Sequence, residues 1–444
     1  MKIVIAGAGD VGSHLAKLLS HEEQDILVID EDAERLAFLD SNYNLMTLTG
    51  SPTSFRTLRE ARVGSCDLFI ALTPSETDDI VACSIAKNLG ADITVARINS
   101  YDFMEERNHE LVTRMGVDKL IYPEYLAAQE IITAMRRSWV RQWFELHNGE
   151  IIVVGVKLTS RSPIAGQKIR DFAFANRNFH VSAIKRAHEI IIPRGDDTLE
   201  AGDIAYITST HKHVDELLAL TGKIEHKIRR AMIMGGGKIA IRLASLAGDE
   251  FDFKIIDNNP EVCRHLPEKC PNCDIIQGDA RDIDLLIDEG IDQYDAFIAL
   301  TGSSEANILT CLTAKEMGIK KTIAEVENIQ YISQAEGLNI GTIINKKLLA
   351  SSSIFQLLLD ADSSTSKCLA LSDAEVAELE VHPGAKISGK PVKELKLSHD
   401  MTLAGLIRND KGMLVGGDTI ILPGDHVVVF CLSGALHKVE KLFS

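Results

Sequence analysis

At 444 residues the chain is long enough for about three domains, and a composition of 45% hydrophobic and 25% charged residues is that of an ordinary globular protein. The formal net charge of −17, from 47 basic and 64 acidic residues, argues against a nucleic-acid partner, which needs a basic face, and against adhesion to anionic lipid. No apolar run approaches the ~18–20 residues of a membrane helix and the opening "MKIVIAG" does not read as a signal peptide, so a cytoplasmic chain is expected, with any membrane role exerted through a partner.

The first element is a strand, "KIVIAG", running into the glycine-rich "IAGAGDVG" at 5–12 and a helix, "VGSHLAKLLSH". Further strands are expected at "DILVID", "NLMTLTG", "LFIALT", "ITVARI" and "KLIYP", because near-continuous apolar runs suit parallel strands buried on both faces. Helical spacing of apolar residues appears between them in "DAERLAFLDS", "SFRTLREAR" and "TDDIVACSIAKNLG". Strand–helix alternation predicts a doubly wound parallel sheet over residues 1–123. A connecting helix, "EYLAAQEIITAMRRSWV", is assigned to 124–142. A smaller β-rich segment follows at 143–225, with "EIIVVGVKLT", "HVSAIKR" and "DIAYIT" as its clearest strands.

The polar "TGKIEHKIRR" (221–230) then leads into the same pattern again. Gly7 aligns with Gly235, Gly50 with Gly278, and "DLFIALTPSE" with "DAFIALTGSS", each 228 residues apart; Asp30 aligns with Asp257 at 227. The second copy spans 226–345, followed by a connecting helix and loop at 346–368 and a second small segment at 369–444. "ADSSTSKC" (361–368) is expected to be a flexible loop. "AGD" ending at Asp203 matches "PGD" ending at Asp425, and Gly166 matches Gly389. The fold class is α/β: two Rossmann-like doubly wound parallel-sheet domains, each followed by a small α+β, β-rich C-terminal domain. The helices at 124–140 and 345–360 carry apolar residues on more than one face, which suits burial within one subunit or the joining of subunits.

Gly7, Gly9 and Gly12 form G-x-G-x-x-G after a strand and before a helix, and Asp30 ends the second strand. In that context one glycine makes the turn, one lets a pyrophosphate approach, one allows helix–strand packing, and the acid receives ribose hydroxyls. The helix N-terminus offers free N–H groups to phosphate. The second copy supplies Gly235, Gly237 and Asp257, with Ala240 in the third glycine's place, and has either kept the ligand or only the fold. An aspartate at the end of the second strand favours NAD(H) or an adenine nucleotide over NADP. Thr73 and Pro74, like Thr301 and Gly302, end the fourth strand at the switch point where ligands lie. Gly50 and Gly278 end the third strand, either as ordinary turns or near an adenine ring. Arg97 at the end of the fifth strand can meet a phosphate, whereas Glu325 in its place would repel one, so tighter binding is expected in the first copy.

Eight cysteines show no disulfide framework. Cys263, His265, Cys270 and Cys273 form either a zinc set or, since only one Cys-x-x-Cys is present with no second pair downstream, small buried hydrophobes at a helix end. No catalytic arrangement is read from the 14 histidines: His14 is expected at the surface or as a cap, and "HKH" (211–213) as a solvated helix start. With no separate substrate domain, a sensor is preferred over the alternatives, an NAD-dependent oxidoreductase or a scaffold with relic sites.

The tandem order, with "IAGAGDVG", "IALTPSE", "VARI", "MGGGKIA", "IALTGSSEANI" and "PGDHVVVF", resembles the TrkA family of potassium uptake regulators, whose paired domains are regulators of potassium conductance (RCK), along essentially the whole chain. The resemblance implies a non-enzymatic cytoplasmic subunit, assembled as a homo-oligomeric ring (a dimer of dimers) beneath a membrane-embedded Trk-type potassium channel subunit. It implies binding of NAD(H) and ATP or ADP that changes the ring's shape. Carried over by motif, the first pocket comprises Gly7, Ala8, Gly9, Asp10, Val11, Asp30, Thr73, Pro74 and Arg97, and the second Gly235, Gly236, Gly237, Lys238, Ile239, Asp257, Thr301 and Gly302.

Overall fold

The computed structural model describes the chain except residues 21–23, 188, 362–364, 371–373, 433, 434 and 444, with backbone alone at 356, 358–361, 365–370 and 437. It divides into two compact units, one of residues 1–126 with 346–363, the other of residues 127–345 with 364–444.

In the first unit β1 (Lys2–Ala6), β2 (Asp25–Asp30), β3 (Met46–Thr49), β4 (Leu68–Ala71), β5 (Ile93–Arg97) and β6 (Lys119–Ile121) form a parallel sheet in the order β3-β2-β1-β4-β5-β6. Ile3, Val4, Ile5 and Ala6 are buried because β1 lies between β2 and β4 and is covered on both faces. Helices Ala33–Asn42, Phe55–Glu60 and Glu76–Leu89 each start at a side-chain cap, from Asp32, Ser54 and Ser75. Gly90, at φ +115°, ends the last of them in the left-handed region that glycine tolerates. The connection order reverses between β1 and β4, and the carboxyl ends of these strands border a crevice. Helix Lys346–Ala361, from the far end of the sequence, packs on helix Asp10–Ser20 and on β6.

In the second unit β12 (Arg230–Met234), β13 (Asp252–Asp257), β14 (Asp274–Gln277), β15 (Ala296–Ala299), β16 (Lys321–Glu325) and β17 (Thr342–Ile344) repeat that parallel order as β14-β13-β12-β15-β16-β17. Two antiparallel sheets accompany it. One is β7 (Gln142–Leu146), β8 (Ile151–Lys157), β9 (His180–Arg186), β10 (Glu189–Ile191) and β11 (Ile204–Ser209), in the order β10-β9-β11-β8-β7. The other is β18 (Thr365–Ala370), β19 (Ala374–Glu380), β20 (Met401–Arg408), β21 (Lys411–Leu414) and β22 (His426–Leu432), in the order β18-β19-β22-β20-β21. The two are the same topology, and they share a core: Ile151, Val153 and Tyr206 from one meet Val376, Val428 and Phe430 from the other. The alternate residues of β8, Ile152, Val154 and Val156, face Phe172 and Leu217 instead. This two-sided burial explains the unbroken "IIVVGV".

Three expectations need correction. Residues 365–368 belong to strand β18, whose backbone pairs with β19 despite its serine- and threonine-rich surroundings; pairing to a buried neighbour overrides local composition. Of the rest of that expected loop, Ala361 ends helix Lys346–Ala361 and 362–364 lie outside the described residues. The first small sheet begins at Gln142, inside the segment assigned to the connecting helix, which ends at Arg136. The linker at 221–230 is shorter than expected, since Thr221 closes a helix and Arg230 opens β12.

The "AGD" and "PGD" matches have one structural cause. Asp203, 1% exposed, accepts from Arg186 Nε at 2.9 Å and Nη2 at 2.8 Å; Asp425, 2% exposed, accepts from Arg408 Nε at 2.7 Å and Nη2 at 2.6 Å. Each carboxylate also accepts a backbone N–H, from Glu200 or Leu422 at 2.8 Å, and so pins its turn. Arg186→Ala is expected to lower stability by about 2 kcal/mol, the usual loss for a charge-assisted pair whose buried member is left behind. Urea unfolding of the variant measures it.

Candidate nucleotide-binding sites

The first glycine turn leaves β1 at Ala6. Gly7 has φ +113°, and a Cβ there would lie 2.7 Å from Leu72 O at the end of β4. Nothing lies within 4 Å of the place of a Cβ at Gly9, so the turn is open where a pyrophosphate would approach. A Cβ at Gly12 would stand 1.9 Å from Gly7 O. The three glycines thus have three separate causes. Asp30 Oδ2 accepts from Ala8 N at 2.5 Å and Oδ1 from Asp32 N at 2.8 Å, so the carboxylate holds the turn and its own loop. Its remaining lone pairs are available to hydroxyl donors. Helix Asp10–Ser20 opens toward this crevice. The Asp10 side chain is paired with Lys347 Nζ at 2.6 Å and Val11 is buried, so these two offer a ligand their backbone rather than their side chains.

Across the switch point, Thr73 N donates to Asp79 Oδ1 at 2.8 Å and Thr73 Oγ1 to Ser75 O at 3.0 Å; Pro74 is exposed. Asp79 is fully buried, its Oδ2 has no hydrogen-bond partner, and burial pushes its carboxyl up to about 7 against the pull of Thr73 and of Arg97. Arg97 ends β5, with Nη2 at 3.4 Å from Asn99 Oδ1 and a buried Nε that is unpartnered.

The second turn follows the same plan. Gly235 has φ +102° and closes on Leu300 O, Gly237 faces open space, and Ala240 is buried without clash. Asp257 accepts from Gly236 N at 2.7 Å and from Asn259 N at 2.8 Å. Lys238 is exposed at the helix start and Ile239 is buried. A cavity of about 390 Å³ gathers Gly235, Gly237, Asp257, Gly278, Thr301 and Gly302. Gly50 and Gly278 also have a packing role, since a Cβ would meet the Thr57 or Leu285 side chain at 2.7 or 2.5 Å.

Two residues of this site escaped sequence reasoning. Arg281 lines the cavity and pairs with Asp279 at 2.6 Å; its signal was the cation in "GDAR", opposite "GSPT" in the first copy. Asn307 takes the place of Asp79, accepting from Thr301 N at 3.1 Å and donating to Thr301 O at 2.8 Å and Glu325 O at 2.9 Å. Glu325 is 3% exposed and does not line the cavity, so the repulsion expected of it is not directed at the ligand's place, and Arg281 supplies a cation there.

His14 is half-buried rather than at the surface, and desolvation pushes it down to about 4 on the helix that Lys346–Ala361 covers. Residues 211–213 form a short 3-10 turn before helix Val214–Thr221. Cys263, His265, Cys270 and Cys273 do not converge. Cys263 Sγ donates to Asp257 O at 3.3 Å, and Cys273 N donates to Cys270 O at 3.1 Å in the turn that follows helix Pro260–Lys269. Among the described residues the one His/Cys/Asp/Glu group close enough to hold an ion is His147, Glu378 and His426, where Glu378 Oε1 lies 2.9 Å and 3.3 Å from the two Nδ1 atoms. No helix of the described residues is long and apolar enough to cross a membrane.

Paired glycine turns, each opening a helix and each fastened to a carboxylate at the end of the second strand, define a tandem protein of the dinucleotide-binding class. The TrkA-N domain description matches residues 3–123 and 231–346, and the TrkA-C domain description matches 153–222 and 376–444. The chain belongs to the TrkA family. It is 30% identical over 453 residues to the Trk system potassium uptake protein TrkA of Halomonas elongata, covering 100% of this chain and 98% of that one. It is also 30% identical over 455 residues to that of Haemophilus influenzae, with the same coverage. A solved structure described as the GsuK channel bound to NAD has the same fold, with a TM-score of 0.60 at 17% identity, covering 100% of this chain and 78% of that one. Membership of this family sets aside the oxidoreductase alternative.

Proposed function

We propose that the chain is the nucleotide-sensing regulatory subunit of a Trk-type potassium uptake system. NAD(H), or ATP or ADP in its place, binds at the two glycine turns through the residues described above. The bound state changes the arrangement of a homo-oligomeric, tetrameric ring that acts from the cytoplasmic side on a membrane-embedded potassium channel subunit. In this reading residues 1–123 and 226–345 are the sensing domains, and the small domains are built on the antiparallel sheets that begin at Gln142 and Thr365.

The observation that carries the reading is the duplicated carboxylate–turn hydrogen bond, Asp30 to Ala8 N and Asp257 to Gly236 N, in a chain whose relatives are named for potassium uptake. A carboxylate so placed does no chemistry on a nicotinamide. It positions a ribose beside an anion-binding helix end, and ligation becomes a change in local order. Calorimetric titration with NADH is expected to show two sites per chain. Asp30→Ala removes one and Asp257→Ala the other, each with at least ~10-fold weaker binding at its own site. One site in the wild type, or no change in either variant, overturns the proposal.

A further inference from the structure

The second unit holds another cavity, of about 500 Å³, lined by none of the glycine-turn residues. Its wall includes Arg141 just before β7, Lys157 at the end of β8, Lys223 after helix Val214–Thr221, Lys315 on helix Ser304–Glu316, and Lys320 and Lys321 at the start of β16. No aspartate or glutamate lines it. In a chain of net charge −17, this is a local reversal of sign.

The cations are poorly compensated. Lys321 Nζ donates to two backbone carbonyls, Ser138 O at 3.2 Å and Val140 O at 3.1 Å; Lys315 Nζ donates to Asn339 O, and Arg141 to Asn339 Oδ1. These are neutral partners. Lys320 reaches Asp295 at 3.4 Å, outside the cavity wall. Three other carboxylates act on these cations from outside the cavity wall: Glu336, paired with Lys185 at 2.7 Å, and Asp203, paired with Arg186, both act on Lys157, and Glu130 acts on Lys321. Lys157 and Lys223 have neither a hydrogen-bond nor an ion-pair partner among the described residues. Burial first, and then the charge of Arg141, lowers Lys157, Lys223, Lys315 and Lys321 from their ordinary values, Lys321 to about 7. A group of cations that outnumbers the acids acting on it raises the folding free energy unless an anion joins it.

We propose that this cavity is a second ligand site, for a small organic anion bearing at least two phosphate charges. Two or more phosphates match the number of converging donors, and the volume exceeds the need of a single inorganic phosphate. The Trp139, Val140 and Ile224 side chains give the cavity an apolar wall for the rest of such a ligand. Its ligands come from the first small sheet and the second parallel sheet together, so occupancy couples those two elements. The site is chemically separate from the glycine turns, which present backbone N–H groups and carboxylates rather than ammonium groups.

The chain's two tryptophans, Trp139 on the cavity wall and Trp143 three residues beyond its neighbour Val140, make intrinsic fluorescence a local reporter. Titration of the full chain with inorganic pyrophosphate is expected to give a saturable change. The Lys157→Gln/Lys223→Gln double variant is expected to bind at least ~10-fold more weakly while NADH affinity at the glycine turns stays within about 2-fold. Without ligand, that variant is expected to melt at a higher temperature than the wild type, because two repelling charges are gone, and to lose the pyrophosphate-induced rise. This second readout separates a lost site from a damaged fold. Unchanged pyrophosphate binding in the double variant, or an equal response to sodium chloride, overturns the proposal. So does a response abolished instead by Arg281→Gln, which would put the probe at the second glycine turn.

Discussion

Gly12→Ala is expected to lower stability by about 3 kcal/mol and to remove nucleotide binding at the first turn while leaving the second intact. The added Cβ would sit 1.9 Å from Gly7 O and 3.0 Å from Gly7 C, against a backbone that cannot rotate away as a side chain does. Relief requires helix Asp10–Ser20 to move off β1, or Gly7 to abandon the φ of +113° at which it meets Leu72. Either motion displaces Ala8 N from Asp30 and spoils the anion-binding geometry at the helix start. The second copy provides the internal control. Ala240 occupies the equivalent place, fully buried, so its helix stands far enough from its turn to accept a methyl group. Ala240→Gly is accordingly expected to cost only about 1 kcal/mol, the helix-propensity difference. Urea unfolding gives the stabilities, and calorimetric stoichiometry falling from two NADH to one identifies the lost site. Retention of two sites by Gly12→Ala would mean that the turn adapts without losing its function.

The parallel sheets were legible because their strands are short, apolar and separated by helical spacing, a pattern forced by burial on both faces. The glycine turns were legible because each glycine answers a steric demand that no other residue meets. Other features depend on partners remote in sequence. Nothing in "NKKLLASSSIFQLLLDA" states that the helix packs on residues 10–20, since several apolar faces suit any covering surface. Strand β18 shows no strong pattern of its own and exists through its pairing with β19. The cationic cavity draws on residues from 141 to 321, each an unremarked surface cation when read singly. Arg97 and Glu325 show the opposite failure. The two residues end equivalent strands, but equivalent positions do not make both side chains face the ligand, and Glu325 is buried and does not line the cavity.

The exchange of Asp79 for Asn307 between copies yields the other large effect. Asp79→Asn is expected to stabilise the protein at pH 8 by about 2–4 kcal/mol and to leave it nearly unchanged at pH 4. Burial pushes the Asp79 carboxyl from 3.8 up to about 7, with Oδ1 satisfied by Thr73 N and Oδ2 by nothing. Between these values the folded chain retains a proton that the unfolded chain releases, so stability falls as pH rises from about 4 to about 7 and is flat above that. A shift of about three units corresponds to about 4 kcal/mol as an upper bound. An amide carries no such penalty. Asn307 shows its geometry, accepting from Thr301 N and donating to two carbonyls that an ionised carboxylate would repel. The variant also removes the charge that lies beside Arg97 in the unliganded first site, so NADH affinity there is expected to hold or rise. Urea unfolding at the two pH values, with NADH titration at pH 8, tests both parts. If wild type and variant are equally stable at pH 8, the Asp79 carboxylate is neutralised by a partner other than the proton.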